Sequence, residues 1–162
     1  MLAAAGEPEI VEKLKKGHKA GNKTFKVHVD GYNLLAFFKG EVKENPRKGF
    51  MYWSDDGELM ALRVGTWKVH FMEQRAEGVA VWQEPFVNLR FPKLFNLRSD
   101  PFERADVDAT FYYAKWAADR MFMLIPAQAI VGQFLQTFKE FPPRQKPSSF
   151  SVDEALEKAR YH

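Results

Sequence analysis

The sequence contains no cysteine among its 162 residues. That absence excludes disulfide bonds, thiolate metal ligands and thiol nucleophiles from this chain, although it leaves the cellular compartment unknown. No run approaches the roughly 18 apolar residues of a membrane span. Residues 1–6 are apolar, but they lack the charged n-region and the long apolar h-region of a signal peptide. We therefore expect a soluble chain with no membrane partner.

The sequence also lacks a strong excess of one charge. Its 24 basic and 21 acidic residues give a net charge of +3. Nucleic-acid binding needs a basic patch or stripe, and the one local cluster, in residues 13–19, is explained by the solvated face of a helix. We therefore expect no nucleic-acid partner. Fifteen phenylalanines and four tryptophans supply material for a real core at this length.

Three aromatic or β-branched runs, residues 50–54, 59–64 and 67–72, are joined by very short polar breaks. Asp56-Gly57 is typical of a two-residue type I′ hairpin, which needs positive φ at both central residues. Gly65-Thr66 is a second hairpin break, and residues 94–97 are a fourth strand. Together these runs predict an antiparallel meander.

The predicted fold is α+β: a small antiparallel sheet of about four strands, packed with a long, Pro-interrupted C-terminal helical region. We divide the chain into helices and a loop at 1–49, the sheet at 50–105, a helical region at 106–141, and a Pro-rich linker with a terminal helix at 142–162, all in one domain. The first part holds a short helix at 8–17 closed by Gly17 and a helical turn at 31–40. Pro126 either kinks the long helix or begins another.

The carboxylates Asp55 and Asp56 are the first candidates for catalysis or metal binding. Neighbouring strand residues point to opposite faces, so the pair does not easily share a proton or a cation, and a turn is the favoured interpretation. The histidines are His18, His28, His70 and His162, and none pairs with another at a metal-ligand spacing. The serines lie in turn, cap or linker contexts: Ser54, Ser99, Ser148, Ser149 and Ser151. No glycine-rich phosphate loop is present.

An ordered set of phrases carries a family resemblance. The set comprises Asp30-Gly31-Tyr32-Asn33-Leu34-Leu35, Pro46-Arg47-Lys48, Leu62-Arg63-Val64-Gly65-Thr66-Trp67-Lys68-Val69 and Leu94-Phe95-Asn96-Leu97-Arg98-Ser99-Asp100-Pro101-Phe102-Glu103. In this order they resemble the C-terminal portion of a bacterial arylsulfatase, in the alkaline-phosphatase-like superfamily. The resemblance covers about residues 2–106, and the tail at 118–145 resembles one bacterial subgroup.

The resemblance implies chemistry that this chain does not match. The family uses a formylglycine made from Cys or Ser in a Cys/Ser-x-Pro-x-Arg motif, together with a calcium ion held by acidic side chains. The nearest match begins at Ser99 and places Arg104 one residue too far along. The family's N-terminal catalytic domain has no counterpart here. We therefore assign no catalytic, cofactor-binding or metal residue, and expect no cofactor in this chain.

Two functions follow as hypotheses. The resemblance implies the C-terminal subdomain of an arylsulfatase (a sulfuric ester hydrolase), which packs on the catalytic domain, contributes to the active-site rim and is inactive alone. Residues 74–88 are the candidate rim loop, because they form a long excursion with Trp82 and Phe86. The alternative is an autonomous, non-enzymatic interaction protein that self-associates through the stripe at 111–138 or through the sheet.

Overall fold

The computed structural model describes residues 2–142 and has an α+β fold, as predicted. The strands are β1 (His18–Ala20), β2 (Lys23–Phe25), β3 (Gly49–Trp53), β4 (Leu59–Val64), β5 (Trp67–Glu73) and β6 (Val87–Asn96). The α-helices are α1 (Ile10–Lys16), α2 (Leu35–Phe38), α3 (Ala105–Asp108), α4 (Thr110–Ala118) and α5 (Leu124–Glu140). Short 3₁₀ helices cover Gly78–Trp82 and Met121–Met123.

The larger sheet is a four-stranded antiparallel meander in the order β3-β4-β5-β6, which confirms the predicted topology. Leu62 of β4 lies opposite Val69 of β5, and Val69 lies opposite Leu94 of β6. Residues opposite one another share a face of the sheet, so these three side chains form one apolar row. All three are buried, and Leu62 is only 2% exposed. This row is the centre of the core.

The two hairpin turns differ in kind. Gly65 has a φ of 58° between the paired residues Val64 and Trp67, which gives the predicted two-residue break. The loop at Asp56 is longer than predicted. Ser54 O accepts from Gly57 N at 3.0 Å, Ser54 N donates to Glu58 O at 3.0 Å, and Gly57 has a φ of 77°.

The two-residue type I′ turn predicted at Asp56-Gly57 is therefore wrong. Asp56 is not among the residues with positive φ. A three-residue loop that ends in a left-handed glycine is an alternative hairpin connection, and it spares Asp56 the strained conformation.

Strand β6 contains Pro92 and pairs irregularly with β5. His70 lies opposite Lys93 while Met72 lies opposite Asn88, so the register shifts between them. Because β6 is an edge strand of this sheet, a residue without an N–H group costs little there. Pro92 therefore lies in the irregular stretch between the pairs His70–Lys93 and Met72–Asn88, and both pairs are kept.

The residues after β6 are helical, as predicted, and Pro126 lies in the first turn of α5. A proline is tolerated there because that N–H has no partner inside the helix. The stretch Met121–Glu140 is long and apolar enough to cross a membrane by length and composition, so the expectation that no run approaches a membrane span is wrong. One such helix is weak evidence for a membrane span, and a soluble chain stays our proposal.

The described residues form two compact units. The first unit comprises residues 2–49 and 130–142, and the sheet unit comprises residues 50–129. In the first unit, α1 ends at Gly17 as predicted, with a φ of 108°, and β1 and β2 form a small antiparallel hairpin that we did not predict. The division into four segments of one domain stays a prediction. Apart from Pro142, its Pro-rich linker and terminal helix lie outside the described residues.

Candidate functional site

Strand pairing brings three basic side chains together on the face of the sheet opposite the apolar row. Lys68 alternates with His70 along β5, so both lie on one face, and Lys93 lies directly opposite His70 on β6. Phe95 lies opposite Lys68 on the same face and is buried. The site thus consists of three basic side chains next to the buried ring of Phe95.

Glu103, in the turn after β6, supplies the first acidic partner. Its carboxylate accepts hydrogen bonds from Lys68 Nζ at 2.7 and 2.9 Å and lies 2.5 Å from His70 Nε2. Glu103 has a φ of 57° and is the one non-glycine residue with positive φ among residues 2–142. This conformation costs about 1 kcal/mol or more, so the contacts of the carboxylate offset a local strain.

Lys93 has two acidic partners. It donates to Asp106 Oδ2 at 2.6 Å and forms an ion pair with Glu73 on the neighbouring strand. Arg75 donates to the other oxygen of Glu73 at 2.8 Å. We call the six residues Lys68, His70, Glu73, Lys93, Glu103 and Asp106 the charge cluster.

Aromatic rings enclose the charge cluster. The ring of Phe95 lies 5.2 Å from His70 and 5.6 Å from Tyr113 of α4. The Tyr113 hydroxyl accepts from Leu94 N at 3.1 Å and donates to Leu94 O at 3.2 Å. Lys68 Nζ lies 4.5 Å from the centre of the Tyr52 ring on β3. The cluster therefore joins the sheet to the segment that carries α3 and α4.

Burial and charge together set the protonation of the cluster. Burial lowers the pKa of His70, and the positive charge of Lys68 lowers it further against the opposing effect of Glu103. Burial alone would raise the pKa of Glu73 and lower that of Lys93, but their hydrogen bonds outweigh it. The pKa of Glu73 is therefore lowered and that of Lys93 raised. Burial raises the pKa of Tyr113.

These contacts make the cluster a clasp between the sheet and the segment after β6. The exposed fractions of its six side chains lie between 13% and 29%. Each carboxylate is used by a cation on the sheet, and His70 is held by Glu103 through Nε2. Removing one partner from such a pair leaves a half-buried charge without compensation, which is costly. These ion pairs and hydrogen bonds fix the Glu103–Tyr113 segment on the sheet.

The predicted excursion at 74–88 is a loop folded around one side chain. Gln74 Nε2 donates to Glu84 O at 2.8 Å and to Val81 O at 3.4 Å, while Ala76 N donates to Gln74 Oε1 at 2.9 Å. The loop carries a 3₁₀ helix and returns to the sheet at Val87. Trp82 is 85% exposed. A pinned loop therefore presents a large aromatic ring to solvent.

The structure places Asp55 and Asp56 in the β3–β4 loop, so the turn interpretation is confirmed. Ser54 Oγ accepts from Glu58 N at 3.1 Å in the same loop, and Ser99 Oγ donates to Asn96 O at 3.2 Å in the turn after β6. These hydroxyls serve turns. His18 lies in β1, and His28 pairs with Asp30 at 3.0 Å.

His162 and the serines Ser148, Ser149 and Ser151 lie outside the described residues. Within residues 2–142, no group of three or more His, Asp or Glu side chains could hold a metal ion. The side chains of this described part therefore do not fit the calcium ion that the resemblance implies for the family.

Sequence reasoning missed the charge cluster. In the sequence, His70 stood out only as a histidine without a metal-ligand spacing, and Lys68 and Glu103 only as parts of family phrases. The alternation of β5 was the available signal for the basic half. The acidic half was hidden, because Glu103 is 35 residues from Lys68 and turn geometry decides where it lies.

Comparison with known families identifies the chain. Residues 45–158 match the family model for the C-terminal region of aryl-sulfatase. No curated protein matches the chain. The matched range includes the whole four-stranded sheet, the charge cluster and the described helices from α3 onward. The chain belongs to the aryl-sulfatase C-terminal family.

Proposed function

We propose that this chain is the non-catalytic C-terminal subdomain of an arylsulfatase, packs on the sulfatase catalytic domain and contributes Trp82 to the rim of the active site. The observation that carries the proposal is the family match together with the way the chain uses its polar groups. The charge cluster joins secondary structure, the hydroxyls of Ser54 and Ser99 bond within turns, and Asp55 and Asp56 lie in the β3–β4 loop.

Catalysis of sulfate-ester cleavage belongs to the partner in this proposal. Such a reaction needs preorganised positive charge and an activated nucleophile in a site shielded from water. The basic side chains Lys68 and Lys93 are committed to carboxylates of the same chain. The calcium ion and the formylglycine of the reaction are therefore assigned to the catalytic domain.

The rim role rests on the loop around Gln74. An aromatic side chain held on a pinned backbone offers contact area at little entropic cost, which is the usual character of a binding anchor. Trp82 meets this description, because the carbonyls of Val81 and Glu84 on both sides of it accept from one amide. The loop thus supplies an aromatic contact to an aryl substrate or to the lip of the catalytic domain.

Self-association is the second candidate partner, for the chain without its catalytic domain. Many large apolar side chains are exposed, among them Phe102, Phe111, Tyr112, Phe122 and Ile125. Soluble proteins rarely leave a large contiguous apolar area bare. We therefore expect the free chain to form weak oligomers, which light scattering over a wide concentration range would detect.

Complementation tests the function directly. The catalytic portion of an arylsulfatase, expressed without its own C-terminal region, is assayed with a chromogenic aryl sulfate and calcium, with and without the 162-residue chain. Its own C-terminal region added separately is the positive control. We expect no turnover by the chain alone and an increase in turnover by the mixture. Turnover by the chain alone, or no increase where the positive control succeeds, would contradict the proposal.

A variant of the loop tests the rim role within the same assay. Trp82→Ala should raise KM for the aryl substrate severalfold, since aromatic anchors contribute on the order of 1–2 kcal/mol. Phe38→Ala is the matched control, because Phe38 is an exposed aromatic residue in the first unit. Equal KM values for the two variants would contradict the assignment of Trp82 to the rim of the active site.

A further inference from the structure

Helices α3 and α4 turn an apolar surface to solvent. Val107 of α3 is 70% exposed, and Phe111 and Tyr112 of α4 are each 79% exposed. The rings of Phe111 and Tyr112 are in edge-to-face contact, with centres 6.0 Å apart. We call these three residues the aromatic ridge.

The opposite side of the same helices is held firmly on the sheet. Asp106 pairs with Lys93, and Tyr113 makes two hydrogen bonds to the backbone of Leu94. Trp116 stacks on Tyr113 and on Trp67, with ring centres 6.1 and 6.0 Å apart. Asp100 accepts from the backbone N–H groups of Arg104 and Ala105 at the start of α3. The ridge is therefore presented on a rigid base, which lowers the entropic cost of binding.

The charges beside the ridge are paired within the chain. Arg104 pairs with Asp108 at 3.1 Å, and Lys115 pairs with Asp119 at 3.3 Å. A partner that covers the ridge contacts aromatic rings, and the charged side chains beside those rings are already paired with each other. Such a surface fits an apolar partner surface, because covering it leaves no new charge without a counter-ion.

The size of the ridge distinguishes between two partners. An aromatic side chain buries about 150–250 Å² when covered, so the ridge offers a few hundred Å². Two ridges facing each other would bury less than the roughly 1,200–2,000 Å² of a stable complex between separate proteins. An interface with the catalytic domain is not limited to the ridge, because it would also include the rim loop proposed above.

We infer that the aromatic ridge is the preorganised docking surface of this chain for the sulfatase catalytic domain, with Phe111 and Tyr112 as its anchors and the charge cluster as the clasp that holds them in place. This inference rests on the proposed function, because it names the surface through which that association is made. It adds a location and a mechanism of support that the family match does not contain.

The first experiment measures binding of the full chain to the separately expressed catalytic portion. The double variant Phe111→Ser/Tyr112→Ser should weaken binding by about tenfold or more, as expected for two anchor residues. Phe38→Ser is the matched control, because Phe38 is 74% exposed and lies on α2. Circular dichroism establishes that both variants stay folded. If the double variant binds as tightly as the unmodified chain, the ridge is not the docking surface. That result would leave the proposed function unaffected.

The second experiment identifies what covers the ridge. A photo-crosslinking benzoylphenylalanine replaces Phe111 in the full chain, which is irradiated with and without the catalytic portion. We expect a crosslink to the catalytic portion. Crosslinks only between two copies, or only to residues 143–162 of the same chain, overturn the inference. Failure of the unmodified chain to bind at all contradicts the proposed function instead, so the two failures are distinguishable.

Discussion

The two units of this molecule differ in how deeply their side chains are buried. In the sheet unit, Leu62, Val69 and Leu94 form a buried row on one side, and a clasp of paired charges closes the other. In the described part of the first unit, no residue is buried. Its helix α1, its hairpin and α2 are covered only in part. The comparison teaches that the sheet unit has a core of its own, whereas the first unit depends on small contributions spread over many residues.

The largest expected difference between the units concerns leucine truncation. Leu62→Ala should destabilise the protein by about 2–5 kcal/mol, because it removes buried surface and leaves a cavity. Leu35→Ala in α2 should cost clearly less, since Leu35 is only half-buried. Urea denaturation of both variants measures the two free energies of unfolding. Equal losses would mean that the units do not differ in packing as described.

The next effect concerns the clasp. Glu103→Gln keeps the shape of the side chain but removes the charge that Lys68 and His70 share, and should cost about 1–3 kcal/mol. The counterpart in the first unit is Glu41→Gln, since Glu41 pairs with Lys39 at 3.7 Å and both side chains are exposed. That exposed pair should contribute close to nothing. Chemical denaturation again decides, and a clasp variant as stable as the original chain would refute the structural role of Glu103.

How much of this could be predicted from the sequence is visible in the same residues. The aromatic and β-branched run at 67–72 predicted β5, and the glycines at 57 and 65 marked both hairpin breaks, because these signals are local. The residues that join distant parts were not predictable. Glu103 reaches Lys68 only because of a left-handed turn, and no periodicity records that conformation. The stripe at 111–138 was predicted as a contact surface, but the sequence does not tell which side of a helix lacks a covering partner, so the exposure of Phe111 and Tyr112 was not predicted.

The pH dependence of stability should reveal His70. Burial lowers its pKa in the folded state, so the unfolded state binds the proton more readily. The stabilisation is present above the ordinary histidine pKa of about 6.5 and is lost as the pH falls through the lower folded value. His70 faces Lys68 from its own strand, Lys93 from β6 and Glu103 from the turn.

Thermal melts between pH 7 and pH 5 check this effect. We expect the unmodified chain to lose stability on acidification and His70→Gln to lose less, because glutamine can still donate to Glu103 without titrating. If the melting temperature of the variant falls with pH as steeply as that of the original chain, His70 is not the group that sets the pH dependence of stability in this range.

The smallest expected effects come from two glycines and have opposite signs. Gly57→Ala forces an alanine to a φ of 77° in the sheet unit, although a Cβ meets nothing within 4 Å there. It should cost about 1 kcal/mol through backbone strain alone. Gly132→Ala in α5 of the first unit adds a Cβ in open space in a helix, and should gain up to about 1 kcal/mol. Melting temperatures that move in the same direction would contradict this contrast.

Hydrogen–deuterium exchange of the full chain, alone and mixed with an arylsulfatase catalytic portion that lacks its own C-terminal region, tests the docking account most directly. The account predicts that the catalytic portion slows exchange in α4 (Thr110–Ala118), which carries Phe111 and Tyr112 of the ridge, and in Gly78–Trp82 of the rim loop. Exchange in β1 and β2 should stay as fast as in the free chain. Unchanged exchange in both predicted segments, under conditions where the two proteins bind, would contradict it.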